Sequence, residues 1–277
     1  MAITNLRYKN ADFELSYELL NLDKEPILLI LHGWGASKEL MQSAFKDKFQ
    51  NYKHLYIDLC GFGKSSAPLI LNSFDYALIL KLFLAQKSLA PALLMGHSFG
   101  GKLCALLSLE NEDFSSFCKK NLKGDLKENL NENLNFNVLN SNLKALILLS
   151  SAGILKQKSL KVRFKIKFFK TLKKLGLGHF GKFFASKDAL GLNALMYETF
   201  KNVVDENFSE VFKKIHTKSF IFWGIDDEAT PLRSGEKMHA LIKNSKFYTL
   251  KGDHFFFLDP KNSAFVDEIL NEMEKQK

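Results

Sequence analysis

The sequence predicts an α/β fold: a mostly parallel sheet with helices on both faces. Three observations carry this. Apolar runs at 26–31, 92–95, 145–150 and 219–224 have strand length and no polar alternation, the pattern of strands buried on both faces. Helical spacing alternates with these runs, which calls for parallel strands joined by crossover helices. One run, Ala92-Leu93-Leu94-Met95, passes through Gly96-His97-Ser98-Phe99-Gly100-Gly101 into the helical pattern Lys102-Leu103-Cys104-Ala105-Leu106-Leu107. That is a strand, a very tight turn and a helix, with a serine at the apex. The length of 277 residues, 46% of them apolar, suits one α/β domain with an inserted subdomain and a large core.

In chain order, Phe13-Glu14-Leu15-Ser16-Tyr17-Glu18-Leu19 alternates and reads as an amphipathic strand at a sheet edge. The buried strand at 26–31 ends in His32-Gly33-Trp34-Gly35, and helical spacing follows through Leu40, Met41, Ala44 and Phe45. The next strand, 54–58, ends at a tight structural turn, Gly61-Phe62-Gly63. A helix at 74–89 leads to the serine strand. Strands at 145–150, 219–224 and 246–250 follow, with helices at 236–241 and 264–273. Two segments interrupt the alternation. Residues 111–142 are rich in asparagine, lysine and leucine, with Leu122, Leu126, Leu130 and Leu134 in a four-residue step. Gly124 and the asparagines argue against a firm helix, so this is a long, partly helical surface insertion without assigned chemistry. Residues 152–207 form an amphipathic helical cap. Between 155 and 187 lie ten lysines and Arg163 with no acidic residue. The whole chain carries a net +9, so its basic character is local to this segment. Phe164, Phe168, Leu172 and Leu175 share one helical face; Gly176 and Gly178 precede a second apolar cluster, Phe180, Phe183 and Phe184. The division is a core at 1–151, a basic cap at 152–207 and a second core part at 208–277.

Several function classes fall away. No apolar run is long enough to span a bilayer, and the N-terminus lacks the apolar stretch of a signal peptide. Cys60, Cys104 and Cys118 have no metal spacing, which points to a reduced, cytoplasmic protein with no bound metal. Gly61-Phe62-Gly63-Lys64-Ser65 fails as a phosphate loop because Asp58 stands where the first glycine belongs. No third glycine completes a dinucleotide fingerprint, so no cofactor is expected. The local basic charge gives no good argument for nucleic acid.

The turn at Ser98 suits a nucleophile. So sharp a turn leaves no room for side chains two residues before and after the serine, where Gly96 and Gly100 stand. A serine hydroxyl needs a base within hydrogen-bond reach and an acid to orient that base. His254 follows the last strand, in a loop at the same sheet edge as Ser98. His32 reads as a structural turn residue, and the side chain of His97 should project away from that of Ser98. His54, His179, His216 and His239 have no supporting context. The loop Trp223-Gly224-Ile225-Asp226-Asp227-Glu228-Ala229-Thr230-Pro231 offers the acid; Asp227 is preferred, with Asp226 as the alternative. Two backbone N–H groups, those of Trp34 and Phe99, are candidate donors to an oxyanion.

Taken together, His32-Gly33-Trp34-Gly35, the 58–65 turn, Gly96-His97-Ser98-Phe99-Gly100-Gly101, the 224–231 acid loop and Gly252-Asp253-His254 resemble the α/β-hydrolase superfamily, in family order. The resemblance implies a Ser98–Asp227–His254 triad, because the family's acid lies three residues after the glycine of its loop. It also implies a helical cap after the sixth strand. A serine here departs from haloalkane dehalogenases and epoxide hydrolases, which carry aspartate at that position. The chain looks similar to carboxylesterases such as the pimeloyl-acyl-carrier-protein methyl ester esterase, and to C–C hydrolases of ring-cleavage products. It departs from the C–C hydrolases at His97 and Phe255. The implied activity is cleavage of a small-molecule ester or thioester with an apolar acyl group. The alternatives are a C–C hydrolase of 2-hydroxy-6-oxo-dienoate type, or a ligand receptor on the same fold without turnover. For the basic face three readings stand: a solvated exterior, an acidic protein partner such as an acyl-carrier protein, or a membrane surface.

Overall fold

The computed structural model describes residues 1–122, 142–155 and 193–275. Most of the 111–142 insertion and the basic run at 156–192 lie outside the described residues. Eight strands form one sheet: β1 (Ala2–Tyr8), β2 (Ala11–Leu20), β3 (Ile27–Leu31), β4 (Lys53–Ile57), β5 (Pro91–His97), β6 (Ala145–Leu149), β7 (Ser219–Gly224) and β8 (Ser245–Leu250). Their order is β1-β2-β4-β3-β5-β6-β7-β8. The first two pairings are antiparallel and the rest are parallel.

The strand expected at the edge, β2, is internal. The edge belongs to β1, which pairs along its whole length with β2 through the two-residue turn Lys9-Asn10. Both turn residues have positive φ, 48° and 60°, the backbone that lets a two-residue hairpin follow the strand twist. Only Thr4, Leu6 and Tyr8 of β1 point inward, and a polar Thr4 weakens the alternation that would have marked the strand.

Helices cover both faces. On one lie α1 (Lys38–Phe45) and the last helix; Met41 and Phe45 pack with Leu28 and Ile30 of β3 and with Val266, Leu270 and Met273. On the other lie α2 (Ser73–Gln86) and α3 (Phe99–Leu107), whose Phe83 and Leu103 pack with Leu29 and Leu31 of β3. Alternate residues of one strand thus feed two cores, as an unbroken apolar run requires. The remaining helices are α4 (Asn111–Asn121), α5 (Ala194–Val204), α6 (Ser209–Lys213), α7 (Leu232–Leu241) and α8 (Pro260–Lys275), the last helix already noted. In the insertion, α4 buries Phe114 and Cys118. Among the described residues no helix is long and apolar enough to cross a membrane.

The chain leaves β3 for β4 on one side and returns to β5 on the other. Such a reversal opens a crevice at the carboxyl ends of β3 and β5. Two buried groups shape its floor. His32 accepts the N–H of Leu59 at Nε2 (2.9 Å), so its Nδ1–H donates to Gly33 O (2.7 Å). Burial pulls its pKa from 6.5 to about 4, against the opposing effects of the Gly33 carbonyl and Asp58. Nearby, Lys38 Nζ lies 2.7 Å from Asp58 Oδ2, both side chains fully buried. Asp58 also accepts the N–H groups of Lys38 (2.8 Å) and Lys64 (3.1 Å), which ties the glycine turn to the start of α1.

Two outcomes follow for stability. The unfolded chain protonates His32 near pH 6.5, whereas the folded chain resists until about 4. Its contribution, about 3 kcal/mol, is therefore present above pH 6.5 and lost as pH falls toward 4. Thermal melts should decline through that window, and His32→Gln should flatten the decline; equal slopes would remove His32 as the cause. Lys38→Met leaves a buried carboxylate without its cation, and urea titration should register a loss of about 3–5 kcal/mol. An unchanged midpoint would show that the pair contributes nothing.

Candidate active site

Ser98 stands between β5 and α3 with φ +50° and ψ −112°, left-handed backbone that costs a non-glycine residue about 1–3 kcal/mol. Neighbouring strands hold it there. Its N–H donates to Leu149 O (3.0 Å), and its carbonyl accepts the N–H groups of Ala152 (2.9 Å) and Lys102 (3.2 Å). The flanking glycines behave as the sequence requires. A Cβ on Gly96 would come within 2.4 Å of the Gly100 backbone, and one on Gly100 within 2.5 Å of His32 O. Ser98 therefore sits over the crevice, with the free end of α3 behind it.

The His32–Gly35 loop passes beside the serine: a Cβ on Gly33 would lie 3.1 Å from Ser98 Cβ. The backbone N–H groups of Trp34 and Phe99, the two candidate oxyanion donors, make no hydrogen bond among the described residues. Their side chains meet edge to face at 5.5 Å, and Trp34 also packs on Phe62 (4.8 Å) and on Phe200 of α5 (5.3 Å). An aromatic wall thus rises beside the turn.

Across the crevice the acid loop after β7 and the histidine loop after β8 run in contact. A Cβ on Gly224 would strike Asp253 O at 2.1 Å, so only glycine fits. The N–H of Asp226 donates to Gly252 O (3.0 Å), which leaves the Asp226 side chain exposed and turns the buried Asp227 inward. His254 Nδ1 lies 2.8 Å from Asp227 Oδ2. Of the two acids left open by the sequence, only Asp227 meets the imidazole. Thr230 donates its N–H to Asp227 Oδ1 (2.8 Å), and its hydroxyl lies 2.8 Å from Oδ2. Burial opposes a charge on Asp227, but the hydrogen bonds from His254 and Thr230 and the charge of the imidazole outweigh it and hold the carboxyl below its ordinary range. Glu228 is exposed.

The His97 ring packs against that of His254. Its Nε2–H donates to the backbone carbonyl of His254 (3.0 Å), and the rings lie 4.6 Å apart. Burial, helped by His254, keeps the His97 pKa far below the ordinary histidine value, so the ring is neutral. Sequence reasoning gave neither His97 nor Thr230 a role at the site. The three-residue step from Asp227 to Thr230, a spacing at which a hydroxyl reaches back to a carboxylate, was the available signal for Thr230. The hydroxyl of Ser98 makes no hydrogen bond to His254; the imidazole bonds are to Asp227 and Thr230. Among the described residues no three His, Cys, Asp or Glu side chains are grouped to hold a metal ion.

The chain is similar to several known proteins. It is 34% identical over 111 residues to the sn-1-specific diacylglycerol lipase ABHD11 of Mus musculus, covering 38% of this chain and 36% of that one. It is 24% identical over 111 residues to Epoxide hydrolase 3 of Xenopus tropicalis, covering 39% and 30%. The chain thus spans about a third of the length of these curated relatives. Among solved structures, an esterase from Exiguobacterium antarcticum superimposes with TM-score 0.65 at 20% identity, covering 95% of this chain and 96% of that one. A meta-cleavage product hydrolase from Pseudomonas fluorescens gives 0.61 at 14% identity, covering 94% and 95%. At such identities the structural likeness establishes the fold alone. The model of the alpha/beta hydrolase fold family matches residues 26–261, and the chain belongs to that family.

Proposed function

We propose that the protein is a serine hydrolase that cleaves a carboxylic ester or thioester of an apolar acyl group through an acyl-enzyme. The observation that carries this reading is the Asp227–His254 contact of 2.8 Å at the same sheet edge as a strained Ser98. In the first step His254 Nε2 takes the proton of Ser98 as Oγ attacks the ester carbonyl. The Nδ1–H of His254 stays hydrogen-bonded to Asp227, which remains ionised and stabilises the imidazolium. The N–H groups of Trp34 and Phe99 receive the developing oxyanion, each contributing about 3 kcal/mol to the transition state. The imidazolium then protonates the leaving alcohol or thiol. A water, deprotonated by His254, attacks the acyl-serine and releases the acid. The Ser98–His254 hydrogen bond forms when substrate fills the crevice, since catalytic hydrogen bonds commonly tighten only in the complex.

Two further facts support the reading. The mouse relative is named as a lipase and one structural neighbour as an esterase. The aromatic wall of Trp34, Phe62, Phe99 and Phe200 stands beside the proposed oxyanion donors and suits an apolar acyl chain. The phenylalanines of the amphipathic segment, at 164, 168, 180, 183 and 184, lie outside the described residues.

Ser98→Ala assayed with p-nitrophenyl acyl esters should lose on the order of 10⁴–10⁶-fold in kcat; retained turnover would end the hypothesis. Rapid fluorophosphonate labelling of Ser98 without turnover across an ester panel would instead favour a receptor. In a chain-length series, kcat/KM should rise as apolar acyl chains lengthen to fill the aromatic wall. A preference for charged or sugar acyl groups would refute that pocket.

A further inference from the structure

The hydroxyl of Thr230 occupies a junction that packing alone does not explain. It lies 2.8 Å from Asp227 Oδ2, 3.3 Å from His254 Nδ1 and 3.1 Å from the carbonyl of Ser150. Two of these neighbours, the carboxylate oxygen and the carbonyl, are acceptors only, and a hydroxyl has one proton. With Asp227 ionised the proton goes to Oδ2, because a lone pair facing a carboxylate at that distance is repulsive. The lone pairs of Oγ1 then face the N–H of His254, whose shorter hydrogen bond runs to the same Oδ2. Both partners on the carboxylate oxygen are thereby set, and so is the proton of His254 on Nδ1, which leaves Nε2 bare toward the crevice. The threonine is itself fixed. Its N–H donates to Asp227 Oδ1 (2.8 Å), and its carbonyl accepts the indole N–H of the fully buried Trp223 (2.7 Å).

We infer that Thr230 is a positioning residue for the acid–imidazole pair, its hydroxyl bridging Asp227 and His254 while its own carbonyl is held by the indole of Trp223 on β7. This rests on reading Asp227 and His254 as the catalytic pair. The bridge places the acid and imidazole on the rigid sheet edge without touching substrate, as a supporting hydrogen bond should.

The test compares Thr230→Val, which removes the hydroxyl and keeps the shape, with Thr230→Ser, which keeps the hydroxyl. The first readout needs no turnover: the downfield proton NMR resonance of His254 Nδ1–H, assigned by its loss in His254→Gln. In Thr230→Val it should shift and exchange faster with solvent, and in Thr230→Ser it should stay in place. The second readout is ester hydrolysis, where Thr230→Val should lower kcat on the order of 10-fold with KM unchanged, and Thr230→Ser should restore it. A resonance that stays in place in Thr230→Val, or that moves equally in both variants, overturns the inference. If the valine variant does not fold, Thr230→Ala is read in its place under the same criteria. Turnover that survives Ser98→Ala would defeat the hydrolase reading while the resonance still decides the role of Thr230.

Discussion

The close crossing of two backbones at Gly96 and Gly100 governs the rest of the molecule. A side chain on Gly96 would strike the backbone of α3 at Gly100, and one on Gly100 would strike the end of β3 at Leu31 and His32, so the turn that holds Ser98 at φ +50° needs both glycines. The strain is local, but its support is spread across the sheet. The N–H of Ser98 bonds to β6, and its carbonyl accepts from the segment after β6 and from α3. Ser150, the residue after β6, repeats the device with φ +42°; its N–H bonds to Phe222 of β7 and its carbonyl faces the hydroxyl of Thr230. Backbone hydrogen bonds between strand ends therefore run from β5 through β6 to β7. A site assembled from strand ends is as rigid as the core that packs those strands.

Electrostatics follow from the same burial. His97 packs against His254, and a charge on it would oppose the imidazolium that the proposed chemistry creates. Burial removes that conflict by keeping His97 neutral, with its one N–H committed to the His254 carbonyl. Asp227 is the counterpart. It is buried yet ionised, because three donor contacts converge on its two oxygens. One apolar environment thus holds a histidine uncharged and a carboxylate charged, and the difference lies in the donors each can reach.

Much of this was legible in the sequence because it is local. The buried strands declare themselves as unbroken apolar runs, and the serine turn declares itself by its glycines. Asp227 was preferred over Asp226 through its place three residues after Gly224; what separates them physically is the Asp226 N–H bonding to Gly252, a contact across 26 positions. The same holds for β2, whose alternation is real but whose neighbour on the outer side, β1, depends on a hairpin turn at Lys9-Asn10 without the usual glycine. His97 meets a loop from another strand, so its neighbours in the chain say little about it; the step from Asp227 to Thr230 is local, but the reach of Thr230 to His254 is not.

A buried cation ties the segment at 193–208 to the helices of the core. Lys102, in the second turn of α3, points toward α5, where its Nζ meets the carbonyl of Val203 (2.7 Å) and Glu206 (2.6 Å) beneath the ring of Phe208. A positive charge near a helix N-terminus is unfavourable by itself. Burial lowers the Lys102 pKa further, while Glu206 opposes that fall. Glu206 in turn accepts from the N–H and hydroxyl of Ser73, the first residue of α2. The carboxylate therefore satisfies a helix N-terminus and a lysine together, and it joins α2, α3 and the end of α5 at one point. The aromatic wall depends on this junction, because α5 carries Phe200 against Trp34. A lysine four residues after the serine thus couples the helix behind the candidate nucleophile to the helix that packs on Trp34.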